Sequence, residues 1–151
     1  GDEKGGVIIG LPFPVFRVST TIAFSHRLLD AQYLDCEITT PAFTEEIAPA
    51  RTFGFYRDAI PLMEKGLIKG SSLDNTVVIT EDAIISREGL RFKDEFVRHK
   101  VLDLIGDLAL LGMPLAARIV ALKPGHALNI AFVRKLQTIL RGDNKGGTEN
   151  E

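Results

Sequence analysis

RFKDEFVRHKVLDLIGDLALLGMPLAARIVALKPGHALN, residues Arg91 to Asn129, reads as a helix, a strand and the opening of a second helix. Four residues advance an α-helix by about 6 Å and rotate it by only about 40°. His99 and Asp103 therefore stand one above the other, and Asp107 follows on the same stripe. An imidazole and a carboxylate one turn apart can grip one divalent ion, because both are donors that such an ion accepts. The same spacing equally suits a solvated face or a simple i,i+4 hydrogen bond.

The company of these residues matters. Asp103 and Asp107 interrupt an otherwise apolar run from Val101 to Leu111. Charged groups are expensive to bury unless paired or metal-bound, so both carboxylates need partners. His126 lies beyond one strand, just after Gly125, at the predicted start of the next helix. Asp94 is a plausible N-cap of the first helix, with Glu95 near its positive end. Gly112 and Pro114 stop that helix. Ala116 to Leu122 is a largely apolar strand, and Ala127 to Leu140 repeats apolar positions at helical spacing.

HKVLDLIGDLALLG, then GHALN, with ARTFGF upstream at Ala50–Phe55, resembles the UDP-3-O-acyl-N-acetylglucosamine deacetylase family, the zinc amidases of lipid A synthesis in Gram-negative bacteria. The likeness covers roughly Val15 to Leu140 and is to the family's C-terminal half. It implies that the N-terminal domain of such an enzyme lies outside these residues.

The rest of the chain fits one domain. Its 151 residues can bury a respectable core. Composition is 45% hydrophobic and 25% charged with a net charge of −2. That balance argues against a general nucleic-acid binder, which usually carries a basic excess. No apolar run approaches a membrane span, and the opening residues are not expected to act as a signal peptide. The single cysteine, Cys36, has no internal partner and points to a reducing cytoplasm, and it reads as core or near-core packing. Residues 1–6 and 142–151 are polar and glycine-rich, and are expected to be flexible tails around a domain at 7–141.

Val7 to Ile9 begins the ordered part, and Pro12 and Pro14 exclude a central strand there. Val15 to Phe24 and Tyr33 to Thr39 read as an antiparallel pair of strands. Thr40 is placed as the cap of a short helix, with Pro41 at its first position and Glu45 and Glu46 in its early turns. Ala50 to Phe55 is a short strand or turn, and Tyr56 to Lys65 a helix ended by Gly66. Asn75 to Thr80 and Ala83 to Ser86 form a hairpin-like excursion. The expected fold is α+β, a two-layer sandwich. It has a small, mainly antiparallel sheet with helices on one face, plus a strand–helix–strand insert at about 56–88.

The resemblance assigns further roles. His99 and Asp103 are two ligands of a catalytic Zn²⁺, with Fe²⁺ as the alternative ion. The third ligand, a histidine, and the glutamate general base belong to the family's first half, so this chain carries about half an active site. His126 is the acid or electrophilic partner and Asp107 its orienting carboxylate. Thr52 donates to the acetyl carbonyl and Phe53 packs against the sugar. Lys100 and Lys123 contact the diphosphate of a UDP-linked acylated glucosamine. Phe24, in a Phe24-Ser25-His26 element, stacks on uracil, although the family's neighbouring acidic residue is Ala23 here. The insert builds an apolar passage for the acyl chain, with Ile60, Ile68, Leu73 and Val77 as candidate walls, and that chain could bring peripheral membrane contact. The implied reaction is hydrolysis of an acetamide to an amine and acetate.

Two rival readings remain. In one, the chain is an isolated domain of such an enzyme that binds ligand or partner and catalyses nothing. In the other it is a small α+β binding module whose His and Asp residues only satisfy one another.

Overall fold

The computed structural model describes residues 5–64 and 72–143. Residues 1–4, 65–71 and 144–151 lie outside it, and with them most of both expected tails, Gly66 and Ile68.

Among the described residues seven strands form two sheets. The larger is four-stranded in the order β1-β7-β2-β3, from β1 (Val7–Pro12), β2 (Arg17–Ile22), β3 (Gln32–Glu37) and β7 (Ala117–Leu122). β1 pairs antiparallel with β7 and β3 antiparallel with β2, while β2 and β7 run parallel. β1 lies at an edge and ends at Pro12, the place where a residue without an N–H does least harm to a ladder. The smaller sheet has the order β4-β5-β6: β4 (Thr52–Phe55) and β5 (Thr76–Ile79) are parallel, and β6 (Ile84–Ile85) returns antiparallel. Between β4 and β5 runs helix α2 (Tyr56–Glu64), so the excursion is a strand–helix–strand unit closed by a hairpin.

Helices α3 (Glu95–Leu108) and α4 (His126–Asp143) cover one face of the larger sheet. Alternation decides which side chains they cover. Val18 of β2 and Ile119 and Ala121 of β7 point inward and are buried with Val101, Leu104 and Leu108 of α3 and Val133 of α4. Cys36 of β3 packs against this cluster, and burial pushes its thiol pKa up. A second cluster joins the sheets: Ile22, Val77, Ile79, Phe96 and Val97, with Phe24, Phe53 and Phe55 packed around it. The start of α3 is thus wedged under the smaller sheet and its end lies under the larger one.

Local differences from the sequence reading have simple causes. The short helix α1 (Thr40–Ala42) is capped by Thr39, whose Oγ1 accepts from Ala42 N at 3.3 Å, so the cap is one residue earlier than Thr40. α1 continues as a π-helical turn over Phe43–Ile47. Asp94 precedes α3 without capping it, because its carboxylate accepts from Arg98 Nε at 2.7 Å instead. α4 runs to Asp143, beyond Leu140 and through Gly142, which was expected to begin a tail. Among the described residues no helix is long and apolar enough to cross a membrane.

Gly112 ends the 3₁₀ turn Ala109–Leu111 that follows α3, with φ 72°. A Cβ there would meet nothing within 4 Å, so the cost of adding one is backbone strain alone. Gly112→Ala is expected to lower stability by about 1–2 kcal/mol in urea unfolding, with an unchanged slope.

Candidate active site

α3 is the spine of the site. Glu95, His99, Asp103 and Asp107 follow in steps of four, and each step turns the side chain by about 40°. The stripe therefore winds from the side facing β4 to the side facing α4.

At its start Glu95 is fully buried and accepts four hydrogen bonds. Three come from Arg51, through its backbone N at 3.0 Å, Nε at 2.9 Å and Nη2 at 3.0 Å; the fourth comes from Arg91 N at 2.7 Å. Burial alone would raise the Glu95 carboxyl. The Arg51 side chain and the two backbone N–H groups outweigh it and hold the pKa below its ordinary value. This pair ties the residue before β4 to the first turn of α3.

One turn on, His99 Nδ1 lies 3.2 Å from the carbonyl oxygen of Ala50. That oxygen can only accept, so Nδ1 carries the hydrogen and Nε2 presents a lone pair. Nε2 is 3.3 Å from Asp103 Oδ1, with both side chains largely enclosed at 14% and 12% exposure. Two lone pairs this close repel unless a cation lies between them, either a proton on the imidazole or a metal ion. Two ligand atoms each about 2.0–2.1 Å from one tetrahedral ion stand about 3.3–3.4 Å apart, so the donor pair fits such an ion. Asp103 Oδ2 accepts from Lys100 Nζ at 2.9 Å, and that ammonium lies 5.6 Å from the Phe53 ring centroid. Among the described residues no group of three or more His, Cys, Asp or Glu is gathered at ligand spacing.

His126 opens α4 on the other side. Its Nδ1 donates to Asp107 Oδ2 at 2.9 Å, and its Nε2 is 3.8 Å from Asp103 Oδ1. The side chain is 67% exposed, so the ring is anchored at one nitrogen and open at the other. Just before it Lys123 adopts φ 47°, uncommon for a residue with a side chain, and donates its backbone N–H to Thr21 O at 2.8 Å.

Beside this cluster lies a cavity of about 910 Å³, lined chiefly by apolar groups of the smaller sheet and α2. Phe24, Thr52, Phe53, Leu73, Val78 and Lys100 are on its wall. Lys100 belongs to both cavity and cluster. Phe24 meets Phe53 and Phe55 edge-on at 5.7 Å and 5.5 Å. Two wall candidates fall elsewhere. Val77 is fully buried on the core side of β5, and strand alternation gives the cavity Val78 instead. Ile60 is exposed outside the lining. His26 accepts from Leu28 N at 3.3 Å, lies tilted against Phe55 with ring centroids 5.4 Å apart and lines a separate small pocket.

The sequence model of the UDP-3-O-acyl N-acetylglycosamine deacetylase family matches residues 2–138. The chain belongs to that family. Similar relatives, each named UDP-3-O-acyl-N-acetylglucosamine deacetylase, come from Myxococcus xanthus, an Anaeromyxobacter species and Chlamydia pneumoniae. They are 48%, 53% and 47% identical over 91%, 83% and 85% of this chain. These alignments cover 43%, 41% and 46% of the relatives, so the chain spans less than half the length of the family members it matches.

Within the family framework, the structure brings His99, Asp103, Asp107 and His126 into one cluster and sets Thr52, Phe53, Phe24, Leu73 and Lys100 around the adjoining cavity. Arg51, Asn129 and the Ala50 carbonyl are not among the residues expected from the sequence, and Glu95 is expected there only as a charge near the positive end of the helix. Glu95 stands one turn before His99, which was a signal for a buried carboxylate, but its partner is 44 positions away.

Proposed function

We propose that this chain is the C-terminal half of a zinc-dependent enzyme that hydrolyses the acetamide of a UDP-linked 3-O-acyl-N-acetylglucosamine, in lipid A synthesis in the cytoplasm. The observation that carries the reading is the 3.3 Å approach of His99 Nε2 to Asp103 Oδ1 at the side of a large apolar cavity. These two residues would hold the ion, Zn²⁺ or alternatively Fe²⁺, and a third ligand and a general base would come from the rest of the enzyme. When bound, the ion supplies Lewis acidity toward the amide carbonyl and activates the attacking water.

His126, held through Nδ1 by Asp107, offers Nε2 to the reacting amide. There a protonated imidazole stabilises the oxyanion and then protonates the departing amine. A helix N-terminus alone disfavours an imidazolium, and the Asp107 carboxylate offsets that. Thr52 donates its hydroxyl to the acetyl oxygen, and Phe53 supports the sugar. Phe24 faces the uracil, while Lys100 and Lys123 contact the diphosphate. Leu73, with Ile68 beyond the described residues, would line the passage of the acyl chain. Removing such a chain from water is worth about 0.8 kcal/mol per CH₂.

His126→Ala tests this directly in the two-domain enzyme. Zinc content should stay at the wild-type level while kcat falls by roughly 10²-fold or more. Normal turnover in that variant would remove His126 from the mechanism. Deacetylation by the lone chain would overturn the division of the site between two halves.

A further inference from the structure

We propose that Asn129 is a positioning residue that locks the Asp107–His126 pair, an inference that rests on the function proposed above for His126. Asn129 lies on α4, one turn after His126, and is completely buried. Its Nδ2 donates to Asp107 Oδ2 at 2.8 Å, the same oxygen that receives His126 Nδ1 at 2.9 Å. Its Oδ1 is buried and has no hydrogen-bond partner among the described residues.

An amide half satisfied in the interior is costly, so packing does not account for it: a leucine of similar shape would leave no orphaned acceptor. The amide cannot be turned round, because its oxygen would then face a carboxylate oxygen and repel it. What the site gains from asparagine is therefore the N–H. That donor gives the Asp107 oxygen a second hydrogen bond beside the one from His126. With the oxygen fixed, the imidazole keeps its hydrogen on Nδ1 and its Nε2 toward Asp103. Without it, Asp107 is free to rotate about its terminal bond, and the ring loses the contact that sets its tautomer.

Imidazole nitrogen NMR on this chain, at a pH where the rings are neutral, decides the matter without metal or substrate. Wild-type His126 should be almost entirely the Nδ1–H tautomer. Asn129→Leu should give a mixture of tautomers, while His99, held by Ala50, stays as it was. Asn129→Ala, which fits any space the asparagine leaves, serves if the leucine variant does not fold. A His126 signal unchanged in the variant that folds would overturn the proposal.

In the two-domain enzyme, Asn129→Leu should lower kcat by about 10-fold with KM and zinc content unchanged. Added to His126→Ala it should lower kcat no further, because it acts only through that ring. An equal loss in both backgrounds would mean a general structural role and would also overturn the proposal. A wild-type two-domain enzyme without deacetylase activity would instead count against the proposed function, and the tautomer result would stand apart from it.

Discussion

His99→Ala and Asp103→Ala are each expected to abolish zinc binding and deacetylation in the two-domain enzyme while leaving the fold largely intact. Both side chains lie in the middle of the α3 stripe, largely enclosed but with 14% and 12% of their area still exposed. Neither contributes to the apolar clusters that hold the helices to the sheets. Removing one leaves its partner a route to solvent or to another group, since Asp103 keeps Lys100 and His99 keeps Ala50. Metal analysis of the purified variants, alongside thermal unfolding with and without chelator, separates two cases. If the histidine and carboxylate merely satisfied each other, both variants would lose stability to the same extent whether or not metal was present. A variant that retained stoichiometric zinc would end the reading of these residues as ligands.

Glu95→Ala should have the opposite profile, a large loss of stability from a residue that touches no substrate. Glu95 has no exposed surface and the Arg51 side chain is only 3% exposed, so truncation strands a guanidinium in the interior. Breaking a buried pair in this way costs about 3–5 kcal/mol. Glu95→Gln keeps the shape and part of the hydrogen bonding and should cost less.

The pH dependence follows from the sign of the shift. The folded Glu95 pKa lies below its ordinary value of 4.5, so its contribution is fully present above that value. It is lost as the pH falls through the lower folded value. Asp35, held down by Arg17 on the outer face of the larger sheet, adds a loss of the same sign. Acid unfolding followed by circular dichroism should therefore be less pH-dependent in Glu95→Gln than in the wild type over the acidic range. Identical profiles would show that the pair contributes nothing to acid sensitivity.

The parts of this architecture legible in the sequence are those written locally. Gly112 and Pro114 mark where the helical path of α3 and its following 3₁₀ turn stops, and Pro12 marks the edge position of β1. The histidine–carboxylate stripe followed from spacing alone. What stayed hidden depends on pairs distant in the chain or on atoms common to every residue. The parallel alignment of β2 with β7 joins residues about 100 positions apart and has no local signature. The Ala50 carbonyl that orients His99 is backbone, so no side chain advertises it. Arg51 and Asn129 stood inside the quoted motifs, yet only the fold shows that they are buried against carboxylates. Asp94 looked like a cap by type and position, but Arg98 four residues on competes for the same oxygen. Val77 and Val78 differ only in strand phase, which the sequence leaves ambiguous for so short a run.

The four-residue stepping of Glu95, His99, Asp103 and Asp107 makes α3 unforgiving of changes in length. A residue inserted or deleted between Glu95 and Asp107 would swing everything on one side of the lesion through about 100° relative to the other. Such an indel would part the anchoring carboxylate from the functional groups downstream in a single event. Point substitutions on the opposite face would do no such thing. In a codon-by-codon indel scan of the two-domain enzyme this helix should stand out as a continuous block of inactive variants, bounded sharply at its two ends.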